Sequence, residues 1–274
     1  MKMKKKVIFS SLIFAMFALL LAACGGGDGD KSSDSDKSTL EAIKDRDEFV
    51  VGVKYDTKLF GLQDPDTKEI EGFDIDIAKV IAKEILGDED KIKLTEVTSK
   101  TRIPMLNNGD IDAIIATMTI SEERKEEVDF SDVYFEAGQS LLVEQGSDIT
   151  SVKDLKKDHK VIAVKGSTSA QNIREHAPDT SVQEYENYQE AFMALKAGQG
   201  DVLTTDNSIL YGMAQQDSNY VVLDEIFTDE PYGIAIKKGD EEFVNEVNKI
   251  LADLKESGEF DEIYEKWIGE KPKD

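Results

Sequence analysis

Two stretches of this chain, LNNGDIDAIIATMTISEER (residues 106–124) and LKAGQGDVLTTDNSILYGM (residues 195–213), share the pattern Leu-x-x-Gly-x-x-Asp at an offset of 89 residues. Each begins in a helical segment that stops at a glycine, Gly109 or Gly198, and continues into an apolar strand. Carried onward, the offset sets Thr117 against Asp206, so both strands end in polar residues. A looser echo pairs Ile43-Lys44 through Val53-Lys54 with Leu155-Lys156 through Val164-Lys165, one residue different in length. Repetition in the same order predicts two similar lobes.

The intervening segments predict what each lobe contains. Phe49–Val53 reads as a buried strand, and Gly72-Phe73-Asp74 leads into a helix with Ile77, Ile81 and Ile85 on one face and Asp74 as its N-cap. Residues 92–97 alternate again, residues 102–106 are helical, and residues 113–118 form the next strand. Strands alternating with helices at this spacing argue for a parallel α/β sheet in each lobe. In such sheets ligands sit beyond the carboxyl ends of the strands, where loops run into helix N-termini.

Thr117, Thr119 and Ser121 lie at such an end. Ser121 is a natural N-cap, and the residue three positions on, usually Glu or Gln, is Arg124. A guanidinium there faces the positive end of the helix dipole. Either it pairs with Glu123 or Glu127 on the surface, or it awaits an external anion that it can grip with two parallel hydrogen bonds. In the second lobe Asp206 either caps the helix over residues 208–213 or takes a ligand's ammonium. The turn Gly166-Ser167-Thr168-Ser169 after a strand is either a phosphate cradle, for which the following Gly-Lys is lacking, or a strand-to-helix turn lining the cleft.

Composition narrows the class. The net charge is −24, and the acids outnumber Lys and Arg by 57 to 33, which excludes nucleic acid as a partner. His159 and His176 stand far apart among polar residues and give no metal pattern, and no Gly-x-Ser-x-Gly, His-Glu-x-x-His or Walker motif occurs. No cofactor is implied. Trp267, with Phe260, Ile263 and Tyr264 at helical spacing, reads as core.

The chain opens on a basic cluster at residues 2–6, an apolar run over 7–21, and Leu21-Ala22-Ala23-Cys24, an export signal with a small-residue processing site. Cys24 is the only cysteine, and its setting resembles a bacterial lipobox, which implies cleavage after residue 23 and lipidation of Cys24; the alternative is an ordinary signal peptide with an incidental cysteine. Residues 24–38 then read as a flexible tether, holding the folded part about 20 Å from the membrane.

Several motifs in order carry a wider resemblance: Gly72-Phe73-Asp74-Ile75-Asp76-Ile77-Ala78, Thr117-Met118-Thr119-Ile120-Ser121-Glu122-Glu123-Arg124-Lys125, Val128-Asp129-Phe130-Ser131, Tyr232-Gly233-Ile234-Ala235 and Glu262-Ile263-Tyr264-x-x-Trp267. From about Leu40 to Gly269 the chain resembles the polar amino-acid solute-binding proteins of ABC importers. The resemblance implies a type II periplasmic-binding fold with lobe 1 over 39–133 plus 233–274, lobe 2 over 139–227, and hinges at 134–138 and 228–232. It implies that Arg124 clamps an α-carboxylate with Thr119, that Asp206 takes the α-ammonium, and that Lys54, Arg102 and Thr117 meet a side-chain carboxylate. Tyr188 matches an aromatic contact, and Lys165 and Thr168 complete the candidate set. The partners implied are one free amino acid, an importer permease and the membrane at Cys24, for an extracytoplasmic monomer. Glutamate or aspartate is the first expectation for the ligand and glutamine the alternative. Dehydratase-like enzymes and sensor domains on the same fold remain open.

Overall fold

The computed structural model describes residues 38–269; the leader over 1–23, Cys24 and all of the 24–38 tether except Ser38 lie outside the described residues. Ser38 caps the first helix reciprocally with Glu41. The first lobe contains α1 (Thr39–Arg46), β1 (Phe49–Val53), β2 (Asp56–Thr57), β3 (Gly61–Gln63), β4 (Ile70–Glu71), α2 (Phe73–Leu86), β5 (Ile92–Glu96), α3 (Arg102–Asn108), β6 (Ala113–Ile114), α4 (Glu122–Glu127) and β7 (Val128–Phe130). The second contains β8 (Gly138–Glu144), β9 (Lys160–Val164), α5 (Thr168–His176), β10 (Ser181–Tyr185), α6 (Tyr188–Lys196), β11 (Val202–Asp206), α7 (Asn207–Ala214), β12 (Tyr220–Val222) and β13 (Thr228–Asp229). The chain then returns to the first sheet as β14 (Ala235–Lys237) and ends in α8 (Glu241–Ser257) and α9 (Glu259–Ile268).

The two main sheets follow one plan. Their orders are β5-β1-β6-β14-β7 and β10-β9-β11-β8-β12, with the first three strands of each parallel and the fourth antiparallel to the third. The repeated motif explains the likeness. Leu106 and Leu195 are buried, and Gly109 (φ 80) and Gly198 (φ 68) take the left-handed turn that a side chain would strain. Asp112 and Asp201 each accept the amide of the neighbouring strand's start, Val50 N–H or Lys160 N–H, at 2.7 Å.

Two local expectations fail for physical reasons. The strand expected over 113–118 leaves the ladder after Ile114, because Thr117 adopts φ 46 and donates its N–H to Asp74 Oδ2 at 2.9 Å. Asp74 does not cap α2: the N-cap is Gly72 (φ 151), where a Cβ would lie 2.0 Å from the Phe60 carbonyl oxygen. Asp74 lies two residues further on, in the first turn, with its side chain buried and spent on tertiary contacts. Ile77 and Ile81 are buried as their spacing predicts, while Ile85 is half-buried against the same core.

Two segments cross between the sheets, and aromatic side chains knit them to the first lobe's core. Phe135 and Tyr232 form an antiparallel bridge with rings stacked at 5.5 Å, and Phe60 meets Phe135 edge-on at 5.0 Å. Pairs of this kind contribute about 0.5–1.5 kcal/mol each beyond area burial. Phe260 and Tyr264 pack edge-on against Phe73, and Trp267 lies against the same cluster, as core.

Candidate functional site

Among the described residues, six charged side chains are buried: Lys54, Arg102 and Arg124 with Asp74, Asp206 and Glu230. All six come from strand ends, helix starts and crossings. An isolated buried charge is costly, so the assembly must be internally compensated or completed by a ligand.

Arg124 sits where the sequence predicts, at the third position of α4, with its backbone N–H on the Ser121 side chain at 3.3 Å. Its guanidinium turns inward rather than onto Glu123 or Glu127, donating to the Thr119 carbonyl at 2.8 Å and, across the gap, to the Gly166 carbonyl at 3.2 Å. Burial pulls its pKa down, opposed by Asp206, Tyr188 and Glu230. Opposite, Asp206 ends β11 and its carboxylate makes no cap bond to α7. It accepts Tyr232 Oη at 2.6 Å and Ser169 Oγ at 3.4 Å. Burial first and Glu230 second push its pKa up to about 7, against the Tyr232 hydroxyl and Arg124. A carboxylate held this way gains from an incoming cation.

Lys54, just past β1, is fully buried; its ammonium donates to Ser99 Oγ at 3.0 Å and stands 5.0 Å over the Tyr188 ring. Burial lowers its pKa to about 8, opposed by Asp56 and reinforced by Arg102 and Arg124. Arg102 donates to the Ala116 carbonyl at 2.7 Å and leaves its buried Nε without a partner. Burial and Arg124 bring its pKa down to about 9, still protonated at neutral pH. The left-handed turn at Thr117 presents these carbonyls to Arg102; such a backbone costs about 1–2 kcal/mol for a residue with a side chain. The Thr117 hydroxyl donates to the Ala116 carbonyl at 2.8 Å.

The remaining candidates divide. Thr119 Oγ1 lies 3.5 Å from Thr168 Oγ1 across the gap, and Tyr188 is buried with its hydroxyl on Thr205. Lys165 does not join them. Its amine turns outward to pair with Glu186 while Gly166, φ 75, brings the turn within 3 Å of Lys100 for any added Cβ. Sequence reasoning also missed three members. Asp74, read as a cap, accepts from Thr117 N–H and Tyr134 Oη at 2.9 Å each, and burial raises its pKa to about 7. Ser99 is the acceptor of Lys54. Glu230 stands inside the expected hinge over 228–232, where the neighbouring Asp229 makes it look like one of two ordinary acids, so the sequence carried no signal that singled it out.

The lobes are closed on one another. Besides Arg124 and Gly166, Asp56 Oδ2 of the first lobe accepts the Tyr188 N–H at the start of α6 at 2.7 Å, and Gln171 reaches Glu123 at 3.2 Å. A separate cavity of about 960 Å³ lies beside the crossings between α7 and α9, lined by Tyr211, Phe260 and Tyr264; it contains none of the six buried charges.

Residues 49–270 match the model of the bacterial extracellular solute-binding proteins, family 3. The chain is 66% identical over 270 residues to the ABC transporter glutamine-binding protein GlnH of Bacillus subtilis, covering 97% of this chain and 99% of that protein. It is 35% identical to the glutamate-binding protein GluB of Corynebacterium glutamicum, covering 93% and 88%. Among solved structures, an ancestral arginine-binding protein bound to glutamine superposes with a TM-score of 0.77 at 43% identity, over 82% of this chain and 99% of that one. The two-lobed α/β architecture and this match together place the chain: it belongs to the bacterial extracellular solute-binding proteins of family 3.

Proposed function

We propose that this protein captures free glutamine outside the cytoplasmic membrane and hands it to an ABC importer. The observation that carries the amino-acid reading is the pairing of Arg124 on one lobe with Asp206 on the other, both buried and both facing the gap. A guanidinium flanked by helix amides suits an α-carboxylate, and an ion-poor carboxylate suits an α-ammonium. Thr119 assists the first; Lys54, Arg102, Thr117 and Tyr188 line the side-chain end, with Thr168 on the facing lobe.

Glutamine is placed ahead of glutamate, reversing the order expected from the sequence. Two relatives named for glutamine are 66% and 63% identical to this chain, against 35% for the glutamate-binding protein GluB. Lys54 also feels two carboxylates of the protein itself, Asp56 and, more weakly, Asp74, where a ligand carboxylate was expected. Glutamate is the second reading, supported by the two cations themselves. The protein acts as a binder and not an enzyme: the buried acids are committed to structure or to the zwitterion. Crossings near 134–138 and 228–232 serve as the hinge, and a lipid on Cys24 with the 24–38 tether keeps the monomer at the membrane.

Titration calorimetry across the polar amino acids tests this reading, with recovery of the bound amino acid by mass spectrometry. Glutamine should bind one to one and be recovered unchanged. Binding of only a dicarboxylate, or chemical conversion of the bound molecule, would overturn it.

A further inference from the structure

Glu230 is as deeply buried as the amino-acid site itself, yet it lies in a crossing segment, next to Pro231. Its carboxylate is saturated by neutral donors. Oε2 accepts Thr168 Oγ1 at 2.7 Å, while Oε1 accepts Asn172 Nδ2 at 2.7 Å and Thr228 Oγ1 at 2.8 Å. Two of these donors belong to the first turns of α5, the helix that faces the first lobe across the gap. Asn172 also donates to Gln139 Oε1 at 3.0 Å, and Gln139 donates to the Ser169 carbonyl at 3.1 Å. The Ser169 hydroxyl in turn faces Asp206. Glu230 thus reaches the site through hydrogen bonds, and through its field as well, since it acts on both Asp206 and Arg124.

Charge balance gives that placement a consequence. Three buried cations face three buried carboxylates, with half-buried Asp56 acting on Lys54 as well; burial raises the pKa of Asp74 and Asp206 to about 7, so the six buried groups balance only once both are ionised. A glutamine zwitterion adds no net charge. With all six groups ionised, glutamate adds one negative charge that no buried cation is left to balance, and like charge in a desolvated site is strongly disfavoured.

We infer that Glu230 is a positioning and specificity-determining residue of this site, which rests on the glutamine reading above: it fixes the start of α5 against the cleft and supplies the third negative charge that makes an uncharged ligand side chain the preferred one. Replacing Glu230 by a neutral isostere leaves one cation in excess and turns the site toward a carboxylate.

The test compares Glu230→Gln and Glu230→Asp with the wild type in the full chain, reading glutamine and glutamate affinities by calorimetry. Glutamine can keep two acceptor bonds on its oxygen and donate to Thr168, whose hydroxyl can turn toward Thr119, so Glu230→Gln is expected to fold. The affinity ratio of glutamate to glutamine should rise by about tenfold or more in Glu230→Gln. Glu230→Asp, which keeps the charge and loses reach, should weaken both ligands and keep the ratio within about threefold. An unchanged ratio in Glu230→Gln, or equal changes in both variants, would overturn the inference. Thr228→Val, which removes one donor and no charge, should also leave the ratio unchanged and serves if Glu230→Gln does not fold; a shifted ratio there counts against the inference. A second readout needs no ligand: the Asp206 carboxyl, followed by carbon NMR in the ligand-free protein, should titrate at lower pH in Glu230→Gln. If the wild type binds neither amino acid the glutamine reading falls, and the Asp206 midpoint decides the inference by itself: a midpoint that moves in Glu230→Gln supports the action of Glu230 on the site, and one that does not overturns it.

Discussion

The two lobes are built on one plan and used in opposite ways. β1, β5 and β6 in the first correspond to β9, β10 and β11 in the second, and the Leu-x-x-Gly-x-x-Asp motif does the same structural work in each. At corresponding strand ends the chemistry differs. Lys54 follows β1 and is buried over Tyr188, whereas Lys165 follows β9 and turns out to Glu186. Thr117, after β6, carries backbone strain and a hydroxyl; Asp206, at the end of β11, carries a carboxylate. The motif shared between the copies is scaffold, and the residues proposed to bind the ligand lie where the copies diverge.

The comparison breaks most visibly at Arg124, which has no counterpart aimed from the second lobe. Charge-assisted hydrogen bonds contribute roughly 1.5–3 kcal/mol each, so Arg124→Ala should weaken glutamine binding by at least about a hundredfold. Its thermal midpoint without ligand should fall, since Asp206 and Glu230 lose a compensating cation, but the fold should persist because the two carbonyls released at the gap can be hydrated. Wild-type affinity in that variant would return Arg124 to the status of a surface residue.

The two equivalent lysines come next. Lys54→Met removes a buried cation from the side-chain end and should cost about 1–3 kcal/mol of ligand binding. Lys165→Met should leave affinity within about twofold, since exposed pairs contribute little. Equal losses would mean that both turns, and not one, line the site.

The shared scaffold is sharpened by Asp112→Asn and Asp201→Asn. Each keeps a side-chain oxygen for the neighbouring amide but loses the charge, so each should lower stability by about 1 kcal/mol in denaturant titration while glutamine affinity persists. Asp112 also pairs with Arg46, so its variant should be the more costly of the two. A loss of ligand binding with no loss of stability would reverse the assignment of this motif.

Smallest is a pH effect at Asp206. Its pKa, raised to about 7 in the closed protein, means that its share of stability is present below the ordinary carboxylate range and lost as pH rises through about 7. A ligand ammonium favours the ionised form and removes that loss. Glutamine should therefore raise the thermal midpoint more at pH 8 than at pH 5.5, by about 2–4 °C for each kcal/mol recovered. Asp206→Asn should abolish the difference, and a gain that is larger at the lower pH would contradict the sign.

Much of this was legible from residue patterns. The repeat, the Ser121 cap and Arg124 at its third position follow from local rules, and the structure reproduces them because helix ends obey short-range hydrogen bonding. Asp74 was misread for the same reason: a carboxylate near a helix start looks like a cap until Gly72 is seen to approach the Phe60 carbonyl too closely for any side chain. Lys165 was misassigned because its partner, Glu186, is brought in by the pairing of β9 with β10, which no local pattern announces. Glu230 escaped because its role depends on donors 58 and 62 residues away. Charge balance in a buried site belongs to the assembled molecule and has no sequence signature.

The central claim is that a zwitterion with an uncharged side chain is held between Arg124 and Asp206. Calorimetric titration of glutamine into the wild type and into Arg124→Ala, with glutamate as competitor, tests it most directly. One glutamine should bind per wild-type chain, glutamate should displace it only weakly, and binding should be lost in the variant. Glutamate binding more tightly than glutamine, or a variant that binds as well as the wild type, would contradict it.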